Sequence, residues 1–398
     1  MSIKLYTAFT KELDDPEAAV LEITEQLNPK ENMMKNTIGI VNFFHEFVET
    51  GVYSAIVGSL PFDVVGSAAS LQGTGKHFHD FGLSVTMLTS DDADFSIQTL
   101  EDVDKKSREQ IFDEVTVLFK KLCDAEKPKM VLALLSPTQH FSGSDIVTIA
   151  NGLADPFPLF GTIAFSGDTA RDNYVAKGSV ISETMYVFIT LYGDVQPNFR
   201  VITSFAYEES FGDVAKITDS EGPILRSVNG ISALEYLKKQ GMINATNNVA
   251  NSNVWAIPAI LTLTNGTKVA RAFFGIVEGT ESIYSAGNLE VGAKITFAFL
   301  DGEKTLVSAE KLFAEISEAN ERGVIAYSCA ARSWSLGTQQ FSEYEKIADC
   351  VNKCSQKNNL PVEYSISCSA GEICPVWDEN GKLVNTFHNY TLISCSFC

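Results

Sequence analysis

The chain has 398 residues, 45% of them hydrophobic and 20% charged, so it can bury large cores and is long enough for two domains. Its formal net charge of -20 opposes binding to nucleic-acid phosphates and to anionic membranes, because the long-range field repels both. No basic leader with an apolar core opens the sequence, and no uninterrupted apolar stretch is long enough to cross a bilayer. We therefore expect a cytoplasmic protein that has neither a nucleic acid nor a membrane as its partner.

The first half of the chain alternates predicted helices and strands. A helix is predicted from Asp15 to Leu27, because Asp15, Pro16 and Glu17 supply a cap and a first turn. A second helix is predicted from about residue 107 to 123, where apolar residues recur at helical spacing. It leads into residues 130–135, an apolar run that belongs in a sheet interior covered on both faces. This alternation favours α/β packing.

One unit recurs three times: an apolar strand, a connecting segment, a strand led by proline, and a turn rich in glycine and serine. Its strand pairs are residues 38–41 with 60–67, 130–135 with 157–162, and 324–329 with 360–367. Repetition of one supersecondary unit predicts a scaffold whose loops face a common centre. A small ligand would bind at such a centre.

The character of the sequence changes after residue 193. Residues 199–206 and 215–229 resemble hairpin segments, and residues 255–300 alternate apolar and polar side chains between glycine turns, which predicts antiparallel strands. Helices are predicted at about 304–319 and 342–358, and a last strand at 390–397. We predict an α/β to α+β fold with two domains, residues 1–220 and 221–398. Each has mixed β-sheets flanked by helices, and the β-α-β-β unit is repeated internally.

Two charged residues at the ends of predicted strands are the main candidates for ligand binding. Arg332 follows the third apolar strand, where an arginine can hold a carboxylate with two parallel hydrogen bonds. Glu372 follows Gly371, whose freedom of backbone conformation would fix the carboxylate at a defined place, where it could accept hydrogen bonds from a ligand ammonium group. Together they would suit a zwitterion. The alternatives are an ion pair that pins a loop, formed by Arg332 with a partner such as Glu372, and a carboxylate that caps backbone amides.

Further polar residues could line the same pocket. Asn389 and Thr391 share one strand face by their spacing and could act jointly on a ligand, although for either residue alone pairing across the sheet is the favoured role. Asp168 follows the second proline-led strand, at the position equivalent to Glu372, and Arg271 is a reserve anchor.

Several familiar motifs are absent or incomplete. Residues 73–76 resemble a phosphate loop, but Ser70 replaces the first glycine and His77 replaces the magnesium-binding hydroxyl, so we reject a nucleotide-binding phosphate loop here. A nucleophile elbow and a dinucleotide fingerprint are also missing. His77 and His79 could place two metal ligands on one strand face, but no third ligand is evident near them in the sequence. The spacing of the cysteines near the C-terminus does not match a zinc knuckle. We expect no metal and reduced cysteines.

An ordered set of short motifs resembles the FIST family of sensory proteins across nearly the whole chain. These motifs are residues 158–161 with 167–168, 228–236, 328–332, 371–373 and 388–391. The resemblance implies an intracellular signal-input module that binds a small ligand, with amino acids as the favoured class. The chain has no room for the output domain that many relatives carry, so it would signal through a separate partner. The first turn, residues 66–70, departs from the family because it lacks an acidic residue.

The leading hypothesis is therefore a sensor in which Arg332 binds a ligand carboxylate, Glu372 binds its amino group, and Asn389, Thr391 and Asp168 complete the lining. Three alternatives stay open. Some members of this family are linked to haem-based gas sensing, for which His45, His140 or Cys329 could be the axial ligand. Cys329 beside Arg332 could instead be an activated thiolate of an enzyme. An adaptor role without any pocket is the third.

Overall fold

The computed structural model describes residues 3–75, 77–138, 140–167, 171–243, 253–358, 361–378 and 380–398. Its main body consists of three copies of one structural unit, each built from about the same sequence of elements. A unit has a first strand, a helix, a second strand, a further helical segment, a third strand, a two-stranded hairpin and a last strand. The second and third strands of each unit are parallel.

Units 1 and 2 follow each other directly along the chain. Unit 1 comprises β1 (Lys4–Thr10), α1 (Pro16–Leu27), α2 (Pro29–Asn32), β2 (Asn36–Phe43), α3 (Glu46–Glu49), α4 (Val52–Ser59), β3 (Asp63–Ala68), β4 (Gln72–Thr74), β5 (His77–His79) and β6 (Leu83–Ser90). Unit 2 comprises β7 (Ala93–Leu100), α5 (Arg108–Leu122), β8 (Met130–Leu135), α6 (Gly143–Asn151), β9 (Leu159–Ile163), β10 (Val175–Lys177), β11 (Val180–Ser182) and β12 (Tyr186–Gly193). Ser107 caps α5, and Gln110 completes a capping box.

Unit 3 is interrupted by an inserted domain. Its strand β13 (Asn198–Thr203) precedes the insertion, which comprises β14 (Phe211–Glu221), β15 (Ile224–Val228), β16 (Ile231–Ser232), α7 (Ala233–Lys239), β17 (Ala259–Thr262), β18 (Lys268–Arg271), β19 (Phe273–Ile276), β20 (Ile283–Ser285) and β21 (Lys294–Phe297). The unit then continues with α8 (Gly302–Glu318), β22 (Gly323–Cys329), α9 (Ala330–Ser335), α10 (Ser342–Asn358), β23 (Glu363–Ser369), β24 (Glu372–Trp377), β25 (Leu383–His388) and β26 (Thr391–Phe397).

The hairpin of each unit pairs with the sheet of another unit. Sheet 1 has the order β1-β6-β2-β3-β10-β11, sheet 2 the order β7-β12-β8-β9-β24-β25, and sheet 3 the order β13-β26-β22-β23-β4-β5. The hairpin of unit 2 thus completes sheet 1, that of unit 3 completes sheet 2, and that of unit 1 completes sheet 3. This closed exchange ties residues from both ends of the chain into one body.

The turns between the third strands and the hairpins meet one another. The Ser70 amide donates to the Phe165 carbonyl at 2.7 Å, the Cys368 amide to the Leu71 carbonyl at 2.8 Å, and the Ile163 amide to the Gly371 carbonyl at 2.9 Å. The turns of units 1 and 2 therefore contact each other, while the turn of unit 1 also contacts the third strand of unit 3 and the turn of unit 3 contacts the third strand of unit 2. This arrangement matches the predicted scaffold whose loops face a common centre.

The inner faces of the three sheets form a shared apolar core, to which Ile40, Leu132 and Ile325 contribute from sheets 1, 2 and 3. Their outer faces are covered by helices: α1 and α4 on sheet 1, α5 and α6 on sheet 2, and α8 and α10 on sheet 3. Among the described residues, no helix combines the length and apolar character that crossing a bilayer requires.

The inserted domain is an antiparallel sheet of the order β18-β17-β21-β14-β15-β20-β19, with β16 paired to β15 and its own apolar core. The predicted fold class, with mixed sheets flanked by helices and an internal repeat, is confirmed. The proposed division at residue 220 stays a prediction, and residue 220 itself lies within β14.

Candidate functional site

Glu372 is the central residue of the candidate site. It opens β24, where it pairs with His388 of β25 and with Thr162 of β9. Its side chain is 0% exposed, and its Oε2 accepts a hydrogen bond of 2.8 Å from the Thr391 hydroxyl. Its Oε1 is buried and has no hydrogen-bond partner among the described residues. Burial raises the pKa of this carboxyl group from 4.5 to about 8, although the Thr391 hydroxyl and amide and the Ser369 and Cys329 side chains, which lie close enough to favour the ionised form, partly oppose the shift.

A second buried acceptor lies next to Glu372. Asn389 follows His388, the cross-strand partner of Glu372, and its Oδ1 also has no hydrogen-bond partner in the described part of the chain. Tyr390, with φ 63°, turns the chain into β26, which Thr391 opens. A hydrogen bond therefore joins Glu372 to Thr391, and Asn389 lies next to the cross-strand partner of Glu372; in the described part of the chain, Glu372 and Asn389 each keep one acceptor without a partner. Buried polar atoms without partners are costly, so each requires an explanation.

The equivalent residue of unit 1 shows what a fully paired side chain looks like at this position. Gln72 opens β4 and pairs with His79, as Glu372 opens β24 and pairs with His388. The Gln72 Oε1 accepts from the Ser84 hydroxyl at 2.7 Å, and its Nε2 donates to the Gly82 carbonyl at 2.5 Å. The neutral amide of unit 1 is thus satisfied, whereas the carboxyl group of unit 3 keeps one free oxygen.

His388, the cross-strand partner of Glu372, was not among the predicted site residues. It is 7% exposed, and its Nε2 lies 3.1 Å from the Cys374 carbonyl oxygen. Burial, with a smaller contribution from the nearby charge of Arg271, lowers its pKa to about 4, although the hydrogen bond with the Cys374 carbonyl opposes this shift. The repeat could have indicated this position, because His79 occupies the same place in the hairpin of unit 1.

Cys329 ends β22, beside Ser369 of β23. Its side chain is buried, and burial raises the pKa of the thiol well above its usual range, with a further increase from Glu372. An activated thiolate needs the opposite shift. The geometry therefore gives no support to the hypothesis of a thiol-dependent enzyme.

Arg332 lies in α9 and is 0% exposed. Its guanidinium forms an ion pair with Glu343, in which Nε donates to Oε1 at 2.9 Å. Nη1 donates to Ser204, and Nη2 donates to Thr305, Ser308 and Glu343. The alternative role of an internal ion pair is thus the one the structure contains, with Glu343 in place of Glu372. A ligand carboxylate would have to displace Glu343 to reach Arg332.

Arg271 ends β18 of the inserted sheet and is 5% exposed. Its Nη1 donates to the carbonyl oxygens of Ala270 at 2.8 Å and Phe387 at 3.1 Å. Phe387 immediately precedes His388, so Arg271 lies close to the hairpin that carries Glu372. Asp168, the remaining candidate, lies outside the described residues.

Gly371 has a different role from the one predicted. It does not adopt a left-handed conformation, and a Cβ atom at this position would lie 2.5 Å from the ring of Phe387. Close approach to an aromatic ring therefore requires the glycine. The consequence is the same, since the tight packing fixes the start of β24.

The three residues considered as haem ligands have unrelated surroundings. His45 precedes α3, and no described residue forms a hydrogen bond with its buried Nδ1. The His140 Nε2 is engaged with the Lys106 carbonyl at 2.9 Å, and Cys329 is sealed in the core. These surroundings give no support to a haem site built on any of the three. All eight cysteines are free thiols, and among the described residues no three His, Cys, Asp or Glu side chains cluster at metal-binding distance.

A surface cleft of about 540 Å³ lies far from these residues in the fold. It is lined by Met33, Met34, Lys35, Thr37, Leu60, Pro61, Phe62 and Asp63, at the beginning of β2 and β3. The predicted site residues follow the ends of strands instead. Size alone therefore does not make this cleft the functional site.

Comparison with known proteins identifies the family. The profile described as the FIST N domain matches residues 38–231, and the profile described as the FIST C domain matches residues 233–375. No curated protein sequence matches the chain. The solved structure of PurLQS from Thermotoga maritima aligns over 99% of this chain and 72% of its own chain at 10% identity, but the TM-score of 0.18 is too low to indicate a shared fold. Because the two profiles cover most of the chain in order, this protein belongs to the FIST family, whose domains are sensory domains of signal transduction.

Proposed function

We propose that this FIST protein is an intracellular, cytoplasmic sensor that binds an amino acid or a related zwitterion at Glu372 and Asn389 and signals through a separate partner. One observation carries the proposal: among the described residues, Glu372 Oε1 and Asn389 Oδ1 are buried acceptors to which no hydrogen-bond donor is paired. A ligand ammonium group has three N–H donors and would satisfy both. The Thr391 hydroxyl would keep its hydrogen bond to the other oxygen of the Glu372 carboxylate, Oε2.

The repeat supports a ligand role over a purely structural one. If the fold needed only a hydrogen-bonded side chain at the start of this hairpin, glutamine would serve, as Gln72 does. Glu372 instead keeps an ionisable group that is not fully paired in the closed protein. A buried carboxyl group with a perturbed pKa and a specific vacant partner is typical of a functional site.

The location of these residues suggests how binding would become a signal. Glu372 belongs to sheet 2, whereas Thr391 belongs to sheet 3, and the Tyr390 ring packs against Phe205 in the small apolar cluster that adjoins the inserted sheet. Because both acceptors are buried, the sheets must separate slightly for a ligand to enter. A ligand that binds one arrangement better than another shifts their populations, which a partner can detect.

Thermal unfolding in the presence of each of the twenty amino acids and γ-aminobutyrate tests the proposal. We expect at least one of them to stabilise the wild type, and its analogue without the amino group to lose the effect. Glu372→Gln should abolish the stabilisation. Glu363→Gln is the matched control, because Glu363 is partly buried and also accepts a hydrogen bond from a threonine, Thr7, but opens β23 at the end of sheet 3 opposite to Thr391.

Binding should also depend on pH. At pH 7 the free Glu372 carboxyl group is mostly protonated, so an ammonium ligand must displace its proton. Affinity should therefore rise as the pH increases from 6 to 8. If no compound stabilises the wild type, or if Glu372→Gln responds like the wild type, the proposed site is refuted.

A further inference from the structure

Arg271 is a buried cation at the boundary between the inserted sheet and the rest of the molecule. It extends from the end of β18 to the carbonyl oxygen of Phe387 on β25, the edge strand of sheet 2. Its guanidinium lies 5.6 Å from the Phe387 ring centroid. The Nε atom lies 3.4 Å from the Asn288 carbonyl oxygen. The side chain therefore contacts two separate parts of the fold.

No carboxylate of the described residues forms an ion pair with Arg271. Other poorly exposed arginines have such partners, since Arg332 pairs with Glu343 and Arg200 pairs with Glu321. A buried charge is costly unless it is both paired and hydrogen-bonded. Burial accordingly lowers the pKa of Arg271 to about 10, and only Tyr207 opposes the shift. The site lacks a negative charge that a ligand can supply.

The packing fixes one edge of the guanidinium and leaves another free. On the Nε side, Gly287 approaches so closely that a Cβ atom there would lie 2.9 Å from Nε and 2.9 Å from the Ser144 hydroxyl. Nη1 is held by two carbonyl oxygens. Nη2, by contrast, has no hydrogen-bond partner in the described part of the chain. A carboxylate could therefore accept from Nη2 without breaking an existing bond.

We propose that the Nη2 edge of Arg271 binds the carboxylate of the ligand whose amino group is held at Glu372. This inference rests on the proposed function and assigns the anionic subsite to Arg271, because Arg332 is already neutralised by Glu343. Both subsites adjoin the hairpin of unit 3, because Glu372 pairs with His388 across β24 and β25 and Arg271 donates to the carbonyl oxygen of the preceding Phe387. The inserted domain thus supplies the cation, and the hairpin of unit 3 supplies the anion.

This assignment has a structural consequence. A zwitterion bound at both subsites would bridge the inserted sheet, through β18, and sheet 2, through β24. Its binding would stabilise the docked position of the inserted domain. The shared chemistry is a carboxylate, whether it belongs to the amino acid or to a free monovalent acid, and the experiment distinguishes these sources.

The experiment measures thermal unfolding of the full chain with each stabilising amino acid, with the corresponding amide that lacks the carboxylate, and with acetate. For the wild type we expect the amide to bind at least tenfold more weakly than the acid. In Arg271→Gln the acid and the amide should bind equally, which means that the preference for a carboxylate is lost. Arg226→Gln, an exposed arginine of the same inserted sheet, is the control and should keep the wild-type preference.

Equal binding of acid and amide by the wild type would overturn the Arg271 assignment while leaving Glu372 as an amine site. If no amino acid binds, the proposed function fails. In that case, if acetate stabilises the wild type but not Arg271→Gln, Arg271 is a site for a free anion. If acetate does not stabilise the wild type, the inference is overturned. Should Arg271→Gln fail to fold, Arg271→Lys keeps the positive charge and should retain part of the preference.

Discussion

The substitution Glu372→Gln tests the physical basis of the site without any ligand. Burial raises the pKa of Glu372 from 4.5 to about 8, so the folded protein holds a proton that the unfolded chain releases above pH 4.5. The folding stability that this proton contributes is therefore fully present below pH 4.5 and is lost as the pH rises through 8. Glutamine resembles the protonated acid in shape and does not titrate.

The magnitude follows from the size of the shift. One pKa unit corresponds to about 1.4 kcal/mol, so ionising Glu372 should cost the wild type about 4 kcal/mol of folding free energy between pH 5 and pH 9. We expect Glu372→Gln to have nearly wild-type stability at pH 5 and to be more stable by several kcal/mol at pH 9. Urea unfolding monitored by circular dichroism at pH 5, 7 and 9 measures the difference at each pH.

The repeat supplies a reciprocal control. Gln72→Glu places an ionisable group where the amide now donates to the Gly82 carbonyl, so its stability should fall relative to the wild type as the pH rises. The reasoning is refuted if the difference between Glu372→Gln and the wild type changes by less than about 1 kcal/mol from pH 5 to pH 9. Such a result would mean that water or a protein group already pairs with Glu372.

Three further predictions concern other buried groups. Arg332→Ala should lower the free energy of unfolding in urea by about 3–5 kcal/mol, because it leaves the Glu343 carboxylate buried and uncompensated. The exposed control Arg226→Ala should lower it by less than about 1 kcal/mol, and similar losses for both variants would contradict the ion-pair role. In native protein treated with iodoacetamide, mass spectrometry should find the exposed Cys398 modified and Cys329 unmodified, because burial raises the Cys329 pKa and hides the sulfur; early labelling of Cys329 would revive the enzyme hypothesis. NMR should show His388 neutral at pH 5, because burial lowers its pKa to about 4. The neutral side chain contributes stability that is fully present above pH 6.5 and is lost as the pH falls through 4. A titration midpoint near 6.5 would refute its burial.

The repeat was predictable from the sequence because each unit carries its own local signals. Apolar runs such as Met130–Leu135 are buried strands, and the helix predicted at 107–123 is α5, capped by Ser107 as its sequence requires. These elements depend on the spacing of neighbouring residues. The exchange of hairpins was not predictable, because pairing between β4 and β23 joins residues about 290 positions apart and leaves no periodic signal.

The candidate site was only partly predictable for the same reason. The sequence identified Glu372 by its position after a proline-led strand, and Asn389 and Thr391 by their spacing at the start of the last strand; in the structure Thr391 donates to Glu372, and Asn389 follows the cross-strand partner of Glu372. The sequence could not separate the roles of Arg332 and Arg271, since both are arginines near strand ends. Only the packing of α10 brings Glu343 to Arg332, and only the docking of the inserted sheet leaves Arg271 without a carboxylate.

The sequence by itself therefore determined the elements, their repetition and the family, because apolar spacing, caps and turns act over a few residues. The tertiary structure decided which sheet each hairpin joins, which buried charges are neutralised and which acceptors remain free. Those properties depend on side chains that are distant in the sequence and are brought together only when the three sheets close around their common core.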